Sequence, residues 1–398
     1  MKMKTTFLIV IVIILSSILI IAQDRQAGEW KGKVEYENGI KVIKNPKEPL
    51  YGEIKFELEE DLIIGREDDE NYMFYDFIKP GIDSEGNIFI LDHGNCRIQK
   101  YDKNGNYLQT IGRKGQGPGE FEDPFVIYLD SEDVIYVYDN RRPYINIFEK
   151  DGNFERAIRL PSFTFHFGIA KNRNILMIYT LHSPKKRREG KKSIVLINKE
   201  GNIIKTIASY PYKLPPMIKG HGPGNPYSHE LYFFPASDGG AVYGHSSEYK
   251  LFVLNDSGNL SYIVERDKSP EPITKKDKDR LVDRYLELQK RLPKGEKLSR
   301  SEVKRAYIFP RFKPFFSGIM SDDKGRIYVG GYDSKDGRAY FDLFNKEGYY
   351  IYKIKPSPPY PRIIKKGYIY SVGRDRGTDY VKVKRFKIKN WDQIKEEI

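Results

Sequence analysis

Short apolar segments, separated by polar turns that contain glycine, run along most of the chain, and two of them repeat. Residues 83–92 read Asp-Ser-Glu-Gly-Asn-Ile-Phe-Ile-Leu-Asp, and residues 130–139 read Asp-Ser-Glu-Asp-Val-Ile-Tyr-Val-Tyr-Asp. The segment 101–106 recurs at 148–153 with the same offset of 47 residues. Short apolar runs bounded by Gly and Asn are typical of β-strands joined by hairpins. The pattern therefore predicts a repeating all-β unit.

The length of the repeat indicates the architecture. The Gly-Asn turn returns at 201–202 and 258–259, and as Gly-Tyr at 348–349. A repeat of roughly 40 to 50 residues with four strands is typical of a β-propeller blade. A degenerate sixth unit at 362–389 lacks an outer strand, which the strand-like segment 53–64 could supply. We therefore predict an all-β, six-bladed β-propeller over residues 51–398, closed by an N-terminal strand because closure removes an exposed sheet edge.

One segment departs from the strand pattern, between blades four and five. Thr274 is followed three positions later by Asp277, and Ser299 by Glu302, which is the spacing of helix N-terminal caps. The apolar stripe of the first helix would consist of Leu281, Tyr285 and Leu288. We predict a helical insertion at 271–308 that either packs on the blades or forms a lid over the propeller mouth.

Two segments of the first unit resemble a known family. Residues 92–101, Asp-His-Gly-Asn-Cys-Arg-Ile-Gln-Lys-Tyr, resemble the NHL-repeat signature, and residues 112–121 resemble the glycine-rich connection between NHL blades. The chain is also similar to exported bacterial proteins described as six-bladed β-propellers. The resemblance is specific over residues 83–160 and implies the same fold that the repeat predicts.

The N-terminus predicts export. Residues 1–22 combine two lysines, an apolar run from Phe7 to Ile21 and a small residue, Ala22, which describes a signal peptide. An uncleaved membrane anchor is the alternative, although a spanning helix needs about 20 apolar residues. Residues 23–50 would form an N-terminal extension. We therefore expect an extracytoplasmic protein, periplasmic or secreted, that contacts a membrane only if the segment is retained.

Charge and cysteine content narrow the classes of partner. The chain carries 68 Lys+Arg against 55 Asp+Glu, a net charge of +13, which could attract nucleic acid. Export makes a nucleic acid an improbable physiological partner, so we expect none. Cys96 is the single cysteine, which excludes an intramolecular disulfide and a multi-cysteine metal site. We expect a monomer that binds a protein, a peptide or a glycan.

The longest connections should gather on one face of the ring, which we call the loop face. It would receive the connections between the second and third strands of each blade and those between consecutive blades, where function concentrates on a rigid scaffold. Asp92, Asn95 and Arg97 follow the second strand of blade one, and either bind a ligand or fasten their own loop. Asp139 and Arg142 take similar places in blade two.

Histidines and a basic run complete the candidate residues. His166 is predicted on an innermost strand, and His221 and His229 at the start of blade four. Together they could form a divalent-metal or acid–base site at the channel mouth, although packed or solvated histidines are the alternative. His245 is predicted in a loop, and Lys186 and Arg187 belong to the basic run 185–192, a solvated loop or an anion-binding one.

Two classes of function remain open. The first is a non-enzymatic binding or scaffold module that uses its loop face. The second is a propeller enzyme, a metal-dependent hydrolase or lyase similar to gluconolactonases or to peptide α-hydroxyglycine lyases. No residue of this chain matches the sites of those enzymes, so the resemblance assigns no catalytic residue and leaves the cofactor unknown.

Overall fold

The computed structural model describes residues 29–164, 166–182, 188–214, 217–218, 225–291, 293, 296–332, 339–355, 361–375, 377 and 380–398. The strands group into six sheets, each built on an antiparallel blade, and this confirms the predicted six-bladed β-propeller. Four strands precede the first complete blade: β1 (Lys33–Glu37), β2 (Ile40–Asn45), β3 (Glu53–Ile54) and β4 (Leu58–Ile64).

Blades one to five each contain four consecutive strands, ordered from the innermost outward. Blade one is β5 (Ile78–Ile82), β6 (Ile88–Asp92), β7 (Arg97–Tyr101) and β8 (Tyr107–Ile111). Blade two is β9 (Pro124–Leu129), β10 (Ile135–Asp139), β11 (Tyr144–Phe148) and β12 (Phe154–Arg159). Blade three is β13 (Phe167–Ile169), β14 (Ile175–His182), β15 (Glu189–Ile197) and β16 (Ile203–Lys213).

The later blades follow the same order, and the last one is completed from the other end of the chain. Blade four is β17 (Leu231–Pro235), β18 (Ala241–His245), β19 (Lys250–Leu254) and β20 (Leu260–Arg266). Blade five is β21 (Gly318–Ser321), β22 (Ile327–Tyr332), β23 (Ala339–Phe344) and β24 (Tyr350–Ile354). Blade six is β25 (Pro361–Lys365), β26 (Tyr368–Arg374), β27 (Val381–Ile388) and β4.

The N-terminal strand closes the ring as predicted. Strand β4 pairs antiparallel with β27, with Ile64 opposite Val383 and Leu58 opposite Ile388. The pairing continues on both sides of a bulge, which makes β4 a full outer strand rather than a single contact. Blade six therefore combines residues 58–64 with residues 361–388, and β27 has no free edge.

Residues 33–45 form a hairpin that the sequence pattern did not indicate. Strand β2 pairs parallel with the outermost strand of blade four, and β3 pairs parallel with that of blade five. The buried side chain of Asn45 joins the two blades, since its Nδ2 donates to the carbonyl oxygens of Gly348 (2.9 Å) and Glu265 (3.1 Å) and its Oδ1 accepts from the Tyr350 amide (2.7 Å). The extension is thus part of the folded propeller.

Apolar packing between neighbouring blades forms the core. Each of six clusters joins residues of two adjacent blades, for example Phe89 and Leu91 of blade one with Ile135 and Val137 of blade two. Because both faces of a blade are covered, all five residues of β6 and all five of β10 are buried. This explains why the second strands read as nearly continuous apolar runs.

The predicted insertion contains two capped helices. Helices α1 (Lys275–Leu288) and α2 (Arg300–Ala306) begin at capping boxes formed by Thr274 with Asp277 and by Ser299 with Glu302. The apolar stripe differs from the prediction, because Leu288 is 69% exposed while Val282 is fully buried against α2. Short 3-10 helices lie at Gln289–Arg291 and Trp391–Gln393. Among the described residues, no helix has the length and apolarity to cross a bilayer.

Candidate functional site

Asp92 and its neighbours fasten a loop. The fully buried carboxylate of Asp92 accepts hydrogen bonds from the Tyr75 amide (3.0 Å), Asn95 Nδ2 (2.8 Å) and Arg97 Nε (3.1 Å). Arg97 also donates to the carbonyl oxygens of Glu70 (2.7 Å) and Met73 (3.0 Å). The three predicted residues are therefore brought together, and they hold the connection 65–77 that leads from β4 into blade one.

Blade two repeats the arrangement. The buried carboxylate of Asp139 accepts from the backbone amides of Glu122 (2.7 Å) and Asp123 (3.1 Å), in the connection that leads into blade two. Arg142 lies nearby, with Nε 2.9 Å from a Glu122 carboxylate oxygen and about half of its side chain exposed. A ligand-binding role for these five residues stays a prediction, while their geometry is that of loop anchors.

Of the predicted histidines, two are brought together and one lies apart. The rings of His229 and His245 are 6.4 Å apart, and His245 stacks on Tyr210 at 4.9 Å. Burial and the neighbouring His229 lower the pKa of His245. His166 lies just before β13 at the central channel. His221, Lys186 and Arg187 lie outside the described residues.

His93 joins two connections of the loop face, a role that the sequence did not predict. Its Nε2 lies 2.6 Å from Asp123 and its Nδ1 lies 2.9 Å from Asp76, and its ring stacks on Phe77 at 4.0 Å. Asp76 and Asp123 belong to the connections that enter blades one and two. Within the described part of the chain, no group of three or more His, Cys, Asp or Glu side chains has the geometry to hold a metal ion.

A cavity of the loop face lies beneath α1. It has a volume of about 520 Å³ and is bounded by α1, by the connection into blade four, by the segment 313–317 and by the end of β22. Backbone hydrogen bonds from Lys313 to Glu271 (2.8 Å) and from Ile273 to Arg311 (3.2 Å) clasp the base of the insertion. This pair of bonds fixes the position of α1 relative to the blades.

Positive side chains dominate the polar lining of this cavity. Lys268, Arg280, Arg284 and Lys313 contribute four positive charges, against two carboxylates, Glu271 and Asp277. Both carboxylates lie beside Lys313, at 3.6 Å and 3.5 Å from its Nζ. Arg280 and Arg284 therefore have no ion-pair partner in the described lining, whereas Glu271 and, behind the lining, Asp342 act on the charge of Lys268.

Helix α1 presents its two arginines to the cavity because its opposite side is engaged by α2. Asp279 forms ion pairs with Arg300 (3.3 Å) and Lys304 (3.2 Å), and Asp283 forms an ion pair with Arg300. Arg280 and Arg284 are exposed and form no ion pair with any described residue. Four positions separate them, so they lie on the same side of the helix.

Lys268 forms the cationic floor. Its Nζ donates to the Phe315 carbonyl oxygen (2.7 Å) and to the Tyr340 hydroxyl (3.0 Å), and burial lowers its pKa. Behind it, Arg266 and Asp342 form a buried ion pair at 2.6 Å. No sequence pattern indicated this floor, although the spacing of Arg280 and Arg284 could have been noticed once the apolar side of α1 was known.

Aromatic rings supply the apolar part of the lining. Phe316 is buried, Tyr227 and Phe315 are half-buried, and Tyr332 is 63% exposed at the rim. A cavity with converging cations and aromatic walls suits a ligand that carries both negative charge and apolar groups.

Several solved structures are similar to this chain at low identity. A Bacteroides fragilis protein described as a presumed exported protein has 14% identity and a TM-score of 0.54, over 87% of this chain and 99% of that one. A DUF4221 family member from Bacteroides vulgatus has 11% identity and a TM-score of 0.45, over 84% and 99%. Virginiamycin B lyase from Staphylococcus aureus, as an inactive variant with quinupristin, has 11% identity and a TM-score of 0.38, over 84% and 99%.

Sequence comparison gives one family. No curated protein matches this chain. The resemblance to NHL repeats is not confirmed, although the six-bladed fold that it implied is. One family matches residues 82–397 of this chain, from the end of β5 almost to the C-terminus. The chain belongs to the family described as a domain of unknown function, DUF4934.

Proposed function

We propose that this protein is an extracytoplasmic binding module that captures an acidic, aromatic-containing segment of a partner protein in the cavity beneath α1. The observation that carries the proposal is the lining of that cavity, where Arg280 and Arg284 form no ion pair with any described residue and share the lining with Lys268 and aromatic side chains. Arginine clusters recognise acidic motifs because each guanidinium can form two parallel hydrogen bonds with a carboxylate. A protein partner is favoured over a glycan, since the lining offers few neutral polar groups for sugar hydroxyls.

The scaffold supports such a role. The ring is closed, its blades are packed along both faces, and the insertion is clasped at its base, so the cavity is held in place before a ligand arrives. Preorganised sites lose less conformational entropy on binding. The signal-peptide pattern of residues 1–22, which lie outside the described residues, and the similar exported protein from Bacteroides fragilis support the extracytoplasmic location.

The test uses peptides of defined charge. A fluorescein-labelled peptide that alternates Glu with Phe or Tyr is titrated with the protein, beside a peptide in which Lys replaces each Glu. We expect saturable binding of the acidic peptide only, weakened at least tenfold in the double variant Arg280→Ala/Arg284→Ala. The matched control is Lys276→Ala/Arg305→Ala, which removes one exposed cation from α1 and one from α2. Equal binding of both peptides, no binding of either, or unchanged affinity of the cavity variant would overturn the proposal.

A further inference from the structure

The hairpin of β1 and β2 moves the open edge of the blade-four sheet away from the ring. That sheet has six strands, and β1 (Lys33–Glu37) is its last strand. The sheets of blades one to three end at their fourth strand. Neighbouring strands lie about 4.8 Å apart, so β1 stands about 10 Å beyond the position of a fourth strand. The edge of β1 is therefore accessible to another molecule.

The backbone of β1 presents two residues to the open side. Both residues of the turn 38–39 have positive φ, as in a type I′ hairpin, so the flanking residues Glu37 and Ile40 are a hydrogen-bonded pair. Bonded and non-bonded pairs alternate along an antiparallel ladder. The N–H and C=O groups of Val34 and Tyr36 therefore point away from β2, and they have no hydrogen-bond partner among the described residues.

The side chains of the same two residues are apolar and exposed. Tyr36 is 72% exposed and Val34 is 37% exposed. Because side chains alternate along a strand, these two share one face of β1, while Lys33, Glu35 and Glu37 share the other. One face of the open edge is therefore apolar, and the other is charged.

The sequence of β1 is complementary to its own reverse. In an antiparallel pair centred on Glu35, Lys33 lies opposite Glu37 of a second copy, and Glu37 lies opposite Lys33 of that copy. Val34 then lies opposite Tyr36, and each such pair can exchange two backbone hydrogen bonds, since both residues point to the open side. Opposite charges and aromatic–β-branched pairs stabilise strands when they lie directly across from each other.

The single like-charge contact in this register is already compensated. The two copies of Glu35 would face each other at the centre, but each carboxylate lies 2.5 Å from Lys33 Nζ and 2.5 Å from Lys44 Nζ of its own chain. A shift of two residues either places glutamates opposite each other or removes Tyr36 from the pairing. The centred register is therefore favoured.

We propose that this protein associates with a second copy of itself through antiparallel pairing of β1, which joins two six-stranded sheets into one. A second copy is the favoured occupant because the charges of β1 match their own reverse. Five residues a side are few beside the roughly 20–30 of a standard interface, so the association depends on protein concentration. It departs from the monomer expected from the sequence, and it uses none of the residues that line the cavity beneath α1.

The first test is sedimentation velocity of the purified protein over a range of concentrations. We expect a reversible shift from monomer to dimer as the concentration rises. Tyr36→Pro removes an N–H group that points to the open side and leaves the bonds between β1 and β2 intact, so it should abolish the dimer. An unchanged melting temperature of this variant checks that the hairpin is retained.

Charge reversal tests the register. Lys33→Glu or Glu37→Lys alone places like charges opposite each other at both ends of the pair and should weaken the dimer about tenfold. The double variant Lys33→Glu/Glu37→Lys restores opposite charges and should dimerise as the unmodified protein does.

Three results would overturn the proposal: a monomer at every concentration, a dimer that persists in Tyr36→Pro, or a charge-reversed double variant no tighter than either single variant. The variant Arg280→Ala/Arg284→Ala should dimerise as the unmodified protein does. A failure of the peptide site and a failure of this interface therefore give different results.

Discussion

Arg385 of β27 and Asp61 of β4 are 324 positions apart and form a two-point ion pair, with Nη2 2.9 Å and Nε 3.0 Å from the carboxylate oxygens. Arg385 also donates to the Lys103 carbonyl oxygen at 2.6 Å, and only 12% of its side chain is exposed. A single side chain therefore joins the closing strand, the last blade and the first blade.

Truncation of this residue tests the closure of the ring. We expect Arg385→Ala to lower the free energy of unfolding by about 1.5–3 kcal/mol, the range for hydrogen bonds to charged groups. The neighbouring pair of Lys384 and Glu60 is more exposed, at 39% and 36%, so Lys384→Ala should cost about 0–1 kcal/mol. Urea denaturation of both variants gives the comparison, and equal losses would contradict a special role for Arg385.

The loop anchors give a second prediction. Asp92→Ala removes a fully buried acceptor of three hydrogen bonds and leaves Arg97 and the Tyr75 amide without it. We expect a loss of about 3 kcal/mol in unfolding free energy, as for other broken buried pairs. Hydrogen exchange should rise in residues 65–77. Arg142→Ala, at a half-exposed ion pair, serves as the control and should cost about 0–1 kcal/mol.

The channel gives a prediction of opposite sign. Lys79 is a half-buried cation beside Arg362 with no counter-ion among the described residues, so its removal relieves both desolvation and repulsion. Lys79→Met should therefore raise the melting temperature in a buffer without oxyanions. A lower melting temperature for the variant in the oxyanion-free buffer would show that Lys79 is already satisfied.

His166 makes stability depend on pH in a defined direction. Its pKa in the folded protein is below the ordinary value of 6.5, so the unfolded chain binds the proton first as the pH falls. This group therefore favours folding above pH 6.5, and its contribution declines as the pH falls through 6.5 toward the folded-state pKa. We expect His166→Asn to lose less stability than the unmodified protein between pH 7 and pH 5. Denaturation curves of both proteins at the two pH values give the comparison. Equal losses of unfolding free energy in His166→Asn and in the unmodified protein would refute this prediction.

The sequence was sufficient for the fold because its signals are local and repeated. Glycine is required at Gly105, Gly152 and Gly201, which have φ values of 85°, 91° and 89°, and the turns that they form mark blades one to three. The closing strand was also predictable, since the last unit visibly lacked one. The hairpin at 33–45 was not, because its residues alternate charged and apolar types with no copy elsewhere in the chain.

The candidate sites depend on contacts that local patterns do not encode. The cavity lining comes from separate segments between Pro226 and Tyr332, and its arginines acquire meaning only once α2 covers the other side of α1. The repeat signature is clear only up to about residue 160, so the later blades could not be aligned with the first two from sequence alone.

The strand Leu58–Ile64 is synthesised early and is used last. Its partner Val381–Ile388 lies more than 300 residues later, so the outer edge of blade six cannot form until nearly the whole chain has been made. During folding this strand has unpaired backbone groups, and an unpaired strand is a template for pairing with another chain. A product truncated before Val381 would keep that edge permanently open, which makes completion of the C-terminus the step that protects this protein from aggregation.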